Sequence, residues 1–105
     1  MDKVFAAIAD STRRQFLDRL LADQGQTLTE LIAGLEMRRQ SATRHLQVLE
    51  DAGLVVVQWH GRQKRHFLNA EPITDVQSRW FAKFSRKKTA SVVKLKFGNK
   101  KGKKD

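Results

Sequence analysis

Residues 26–55, QTLTELIAGLEMRRQSATRHLQVLEDAGLV, constrain this chain more than any other stretch, because they encode two short amphipathic helices joined by a tight turn. Thr27 and Glu30 form a T-x-x-E capping box, so the first helix is expected to start at about Leu28. Leu28, Leu31, Ile32 and Leu35 recur at i, i+3, i+4 and i+7, one apolar stripe facing a core. Gly34 stands near the helix end, where a residue without Cβ lets the chain turn. The second helix, roughly Arg39 to Ala52, is expected to bury Ala42, Leu46 and Leu49 and to stop at Gly53. Its exposed face then carries Arg39, Gln40, Ser41, Thr43, Arg44 and Gln47, with His45 beside them as a phosphate contact or a structural histidine. A helix-turn-helix presents such a face to the DNA major groove, its early residues reaching base edges. An ordinary αα-hairpin with a solvated polar face would share the pattern. The basic, amide-rich face and the element that follows favour nucleic acid.

That element is LVVVQWHGRQKRHFLN, residues 54–69. Leu54 to Trp59 is a β-branched and aromatic run, His60 and Gly61 supply a turn, and Lys64 to Leu68 return as the antiparallel partner. Arg62, Lys64 and Arg65 lie beside the turn, so the hairpin carries cations outward. A helix-turn-helix followed by a basic hairpin is a winged helix. Arg62 is the side chain expected in the minor groove, where a narrow groove concentrates negative potential; the alternative is a plain arginine at a loop tip.

At 105 residues the chain holds one small domain and a tail. It has no Cys, hence no disulfide, no thiolate metal site and no cysteine nucleophile. The apolar run Val4 to Ala9 is too short for a signal peptide, and no stretch approaches the roughly 20 apolar residues of a membrane span, so a soluble intracellular protein is expected. The net charge of +10 is unevenly placed. Residues 1–85 hold 12 Lys and Arg against 10 Asp and Glu, net +2, whereas residues 86–105 hold 9 against 1, net +8. A polyanionic partner follows naturally, since each neutralised phosphate releases counterions.

Asp2 is expected to cap a short helix from Lys3 to Ala9, and Asp10 a second one starting at Ser11 with Phe16, Leu17, Leu20 and Leu21 as its buried stripe. Beyond the hairpin, Pro72 sits where a helix can begin. Ile73, Val76, Trp80, Phe81 and Phe84 then form a helical stripe that Val92, Val93, Leu95 and Phe97 can prolong. The expected order is α-α-α-α-β-β-α, mainly α with a β-hairpin. Residues 1–97 form the folded domain, and residues 98–105 a basic tail without an apolar stripe. Packing of the first and last helices against a second copy would bury Val4, Phe5, Ile73, Val76, Trp80, Phe81 and Phe84; the other reading is that the aromatics close the core of a single chain.

At VFAAIADSTRRQFLDRL (4–20), LTELIAGL (28–35), QSATRHLQVLEDAGLV (40–55) and GRQKRHFLN (61–69), the chain resembles the ArsR-type winged-helix transcriptional regulators. Ala9-Asp10-Ser11-Thr12-Arg13, Arg44-His45-Leu46 and the Glu50-to-Leu54 exit stand where that family has related motifs. The resemblance covers about residues 3–85 and implies a homodimeric bacterial or archaeal repressor that acts in the cytoplasm on double-stranded DNA at an imperfect palindrome. Departures matter as well. Metal-sensing members carry a Cys-x-Cys-like motif where this chain has Glu30-Leu31-Ile32-Ala33, and the other familiar site uses Asp and His on the last helix, which here offers Asp75 and no His. His60 and His66, on opposite arms of the hairpin, could approach each other, but two ligands make a poor zinc site. No metal and no cofactor is expected. Arg38 replaces the family's Ser or Thr cap before the recognition helix.

Nothing along the chain assembles a catalytic group. Asp18, Glu30, Glu36, Glu50 and Asp51 read as caps or solvated surface, and no Gly-rich phosphate loop is present. Arg13 and Arg14 read as phosphate contacts or as surface charges. The leading expectation is a sequence-specific, homodimeric DNA-binding repressor. Its rivals are a sequence-tolerant nucleoid or RNA-binding protein dominated by the basic C-terminus, and a module whose wing and helix bind protein.

Overall fold

Short-range polar contacts decide where each helix begins and ends. In the computed structural model, which describes residues 1–85, α1 spans Asp2–Ile8, α2 Ser11–Ala22, α3 Leu28–Leu31 and α4 Arg39–Asp51. Asp10 caps α2 as expected, its carboxylate accepting from the Arg13 amide at 3.1 Å. Asp2 does not cap α1. Met1 takes that place, and Asp2 lies inside the first turn, where its charge still favours the helix dipole. The capping box of α3 is complete: Thr27 Oγ1 accepts from the Glu30 amide at 3.3 Å, and Glu30 Oε1 accepts from the Thr27 amide at 2.8 Å. Helix α3 ends at Leu31, so Ile32 and Leu35 belong to the following turn rather than to a helical stripe. Arg19 enforces that ending, since its guanidinium donates to the carbonyls of Leu31 and Ala33 at 3.0 and 2.9 Å.

The described residues divide into two units, Met1–Thr74 and residues 75–85. In the first, α2 and α4 pack on each other and on α1 and α3. Phe16, Leu20, Leu31, Leu49 and Leu54 are fully buried, joined by Val4, Ala7, Leu17, Ala42, Leu46 and Val55. The expected inner stripe of α4 is therefore present. That of α2 is narrower than expected, because Leu21 is 70% exposed. It stands about 100° around the helix from Leu20, beyond the arc that Phe16, Leu17 and Leu20 share.

Strands β1 (Val55–His60) and β2 (Gln63–Leu68) form an antiparallel hairpin with Val55 opposite Leu68 and His60 opposite Gln63. The loop is Gly61-Arg62, one residue later than expected from the His-Gly pair. Gly61 has φ +63° and among the described residues no non-glycine residue has positive φ, which makes a type II′ turn with glycine in its first central position. The register places His66 opposite Val57, on the other face of the ladder from His60, so the two histidines cannot share a ligand.

The loop before α3 acts as a third, very short strand. The Gly25 amide donates to the His66 carbonyl at 2.9 Å, and the His66 amide donates to the Gln26 carbonyl at 2.8 Å. Gly25 has φ +82°, and a Cβ there would lie 3.2 Å from the Phe67 ring. Only glycine allows both the turn and the close approach of the hairpin.

After the hairpin come α5 (Glu71–Val76), a π-helical turn (Gln77–Phe81) and a last helical turn, α6 (Ala82–Ser85). The stripe predicts a single regular helix; the π turn interrupts the 3.6-residue period within the aromatic residues. The extension through Val92, Val93, Leu95 and Phe97, the boundary at residue 97 and the tail 98–105 lie outside the described residues. Among the described residues no helix is long and apolar enough to cross a membrane.

The cap of α2 has an acid signature. The Arg13 amide, bonded to the Asp10 carboxylate, holds that group below its ordinary value of 3.8, with a smaller contribution from the Arg13 charge. A depressed folded-state value stabilises fully above the unfolded value and fades as pH falls through the lowered one. Wild type and Asp10→Ala are therefore expected to differ in thermal midpoint at neutral pH. They should converge as the pH drops below the ordinary carboxylate range, in a series of melts followed by circular dichroism.

Candidate nucleic-acid interface

Helix α4 exposes one face in full: Arg39, Gln40, Ser41, Thr43, Arg44 and Gln47 all point to solvent. They are not equally available. The Arg39 guanidinium donates to Thr29 Oγ1 at 2.8 Å and so ties α3 to α4. Thr43 Oγ1 donates to the Arg39 carbonyl at 2.9 Å, one turn back, and Gln47 Nε2 donates to Asp51 Oδ1 at 3.0 Å. Gln40, Ser41 and Arg44 hold no side-chain hydrogen bond among the described residues. Gln40 and Arg44 are one turn apart, so two uncommitted donor groups stand side by side near the helix start. Arg38, the N-cap, makes no side-chain cap bond, in keeping with its departure from a Ser or Thr.

His45 is turned the other way. It is half-buried and edge-on to Phe16, with ring centroids 6.3 Å apart, and Arg13 NH1 lies 3.1 Å from its Nδ1. Because guanidinium only donates, Nδ1 is the acceptor and the ring proton sits on Nε2. The same Arg13 donates through Nε to the Ala7 carbonyl at 2.8 Å and through NH2 to the Ala6 carbonyl at 3.1 Å. Arg14 donates to the Ile8 carbonyl at 2.7 Å. Neither arginine is a loose surface charge. Both close the C-terminal end of α1, and Arg13 also links it to α4.

The wing separates its cations by height. Arg62 at the tip and Lys64 just below it are exposed and hold no side-chain hydrogen bond among the described residues. Arg65 does not join them as expected: its NH1 donates to the Gly25 carbonyl at 2.8 Å and its NH2 to Gln63 Oε1 at 2.6 Å. It braces the hairpin root. His66, buried to 2%, places Nδ1 2.9 Å from the Gln26 carbonyl, so Nδ1 carries the proton. Between α4 and the wing runs an open groove of about 590 Å³. Thr43, Gln47 and Glu50 line one side; Trp59, Arg62 and Lys64 line the other. Trp59 is a groove residue that periodicity does not reveal, since it reads as one more aromatic in a strand. Its place opposite a lysine near the tip is the available signal.

Residues 8–58 match the family model of a helix-turn-helix domain. The HTH-type transcriptional regulator YuzN of Bacillus subtilis is 39% identical, over 75% of this chain and 92% of that protein. The crystal structure of an ArsR family transcriptional regulator superposes with a TM-score of 0.72 at 33% identity, covering 80% of this chain and 84% of the other. The chain belongs to the ArsR-type winged helix-turn-helix transcriptional regulators. The homodimeric winged helix-turn-helix DNA-binding domain of Mb0332 from Mycobacterium bovis shares the fold, with a TM-score of 0.62 at 23% identity over 91% of this chain and 82% of that one.

This ArsR-type protein is thus a DNA-binding transcriptional regulator, a class that is not enzymatic. Among its described residues no group of three or more His, Asp or Glu is placed to hold a metal ion, and the whole chain lacks Cys. The surface expected for association is only partly open. Val4 and Val76 are already buried, at 7% and 3%, and Phe5 is half-buried. Ile73, Trp80, Phe81 and Phe84 keep 37%, 37%, 49% and 51% of their surface exposed. Trp80 packs edge-on to Phe81 and Phe84, with ring centroids 5.1 and 4.8 Å away. Val4 fills the core beneath α1 because this face of α1 meets α2 and α4.

The two arginine classes are separable by stability. Arg13→Ala should lower the unfolding free energy by about 2 kcal/mol, because it takes a charged donor from the part-buried Ala7 carbonyl and from His45 Nδ1. Arg44→Ala should stay within about 0.5 kcal/mol of wild type. Urea denaturation of both variants checks this, and an unchanged Arg13→Ala would return Arg13 to the class of surface charges.

Proposed function

We propose that this regulator is a homodimeric repressor of an imperfectly palindromic operator, acting on the chromosome in the cytoplasm. Helix α4 enters the major groove and the wing meets the adjacent minor groove. The observation that carries the reading is the pair of uncommitted side chains, Gln40 and Arg44, near the start of α4, on a face with Ser41. Amides suit the paired donor and acceptor of adenine, and a guanidinium suits the two acceptors of guanine. Arg62, projecting from a two-residue turn, is the minor-groove side chain, and Lys64 a phosphate contact. Arg39, Thr43 and Gln47 contribute at the edges of the face, already oriented by their internal bonds. His45 and Arg65 act indirectly, through the pose of α4 and of the wing.

Exposed Trp80, Phe81 and Phe84 supply a surface for a second copy, and Mb0332 of the same fold is a homodimer. Two wings related by a twofold axis read half-sites about one helical turn, roughly 34 Å, apart or a multiple of it. A sequence-tolerant role is not favoured by membership of the regulator family, although the lysine-rich segment 86–105 adds charge that any phosphate backbone attracts.

Selection of bound duplexes from a random pool tests the reading and yields the operator. Gln40→Ala and Arg44→Ala should each weaken binding to the selected site by about 1–3 kcal/mol while melting close to wild type. Cognate affinity unchanged in both would remove α4 from the major groove.

Association is checked separately. Sedimentation should give a dimer at micromolar concentration, and Phe81→Ala or Phe84→Ala should shift it toward monomer. A monomer throughout the accessible range would rule out the paired half-sites.

A further inference from the structure

Trp59 is 64% exposed on a hairpin whose other large side chains are at least half covered near the root. It pairs with Lys64 across the ladder and shares a face with Val57 and His66 and with Val55 and Leu68. Along that face, Val55 and His66 are buried and Val57 and Leu68 are half-buried. Exposure therefore rises toward the tip as the helical body falls away, and Trp59 stands where the groove opens opposite Thr43 and Gln47 of α4. The exposed ring thus stands beside two uncommitted cations, Arg62 and Lys64, on the lining of one groove.

We propose that Trp59 is a DNA-contacting residue in its own right. Its indole packs on the deoxyribose edge of the strand that runs between α4 and the wing, while Lys64 meets a phosphate of that strand and Arg62 reaches past it into the minor groove. The proposal rests on the docking put forward above. Charge complementarity names the occupant. A sugar-phosphate strand alternates an apolar C–H face with an anion, and the wing alternates an indole with cations. Glu30 of α3 and Glu50 of α4 line the same groove and repel phosphate on that side, which favours a strand held on the wing side, where Trp59, Arg62 and Lys64 stand. Trp59 thus supplies the part of the affinity that salt does not screen, and the cations supply the part that it does.

The test uses a selected duplex of about three helical turns as probe, with wild-type protein and three variants, titrated from low to moderate salt. Trp59→Ala should weaken binding on the order of tenfold at every salt concentration, with the slope of log affinity against log salt unchanged. Lys64→Ala and Arg62→Ala should instead reduce the slope by about 0.9 for each phosphate that the native side chain neutralises. In parallel, the protein labelled with fluorotryptophan gives resonances for its two tryptophans, and Trp59→Phe identifies the one from Trp59. That resonance should move on addition of the selected duplex. If wild type prefers the selected duplex to a scrambled one while Trp59→Ala binds like wild type and the resonance stays in place, Trp59 faces solvent in the complex and the inference falls. A shallower salt slope in Trp59→Ala also overturns it, since the ring would then be positioning the cations. If wild type makes no distinction between the selected and scrambled duplexes, the docking itself fails and the role of Trp59 fails with it.

Discussion

The backbone exchange between residues 25–26 and His66 is the constraint on which the arrangement depends. A two-stranded ribbon alone is marginal in water. Here Gly25 and Gln26 add a third rung through two main-chain bonds, and the His66 imidazole adds another from within the core. Arg65 reaches the Gly25 carbonyl, and the Leu68 amide donates to Gln24 Oε1 at 2.7 Å. The root of the wing is thereby joined to the loop that leads into α3, and α3 is joined to α4 by Arg39 and Thr29. The pose of the hairpin and the pose of the recognition helix are one property of this network.

Polar satisfaction and exposure divide the basic residues into two populations. Arg13, Arg14, Arg19 and Arg65 spend their donors on main-chain carbonyls inside the domain. Arg44, Arg62 and Lys64 do not. A residue count cannot make this distinction, and it matters because residues 1–85 carry a net charge of only +2. On the proposed docking, what attracts a polyanion to this body is the placement of a few uncommitted cations on α4 and the wing rather than its net charge.

Periodic features are legible in the chain, and directional ones are not. The stripe of Ala42, Leu46 and Leu49, the capping box of Thr27 and Glu30, the Asp10 cap and the hairpin all follow from spacing, because helix and strand geometry repeat. The bracing roles of Arg13, His45 and Arg65 are not legible, because their partners lie 6, 32 and 40 residues away, at a distance no local pattern reports. In the sequence Arg13 reads as a phosphate contact or surface charge, His45 as a phosphate contact or structural histidine and Arg65 as an outward cation of the wing. Leu21 shows the limit of the stripe itself: a leucine one position beyond the buried arc has the right composition and the wrong angle. The π turn at Gln77–Phe81 is invisible for a related reason, since its residue types are compatible with an ordinary helix.

The tip of the wing has no slack. Its loop is two residues long, its strands are paired to the last position, and its root is bonded on both sides. On the proposed docking, the distance between the reading face of α4 and Arg62 behaves as a ruler cut to one length. A duplex whose grooves do not match that ruler must itself bend or narrow to fit. The stiffness of a base step then enters recognition at positions no side chain touches, and operators would differ in affinity through how readily they deform as well as through the bases they present.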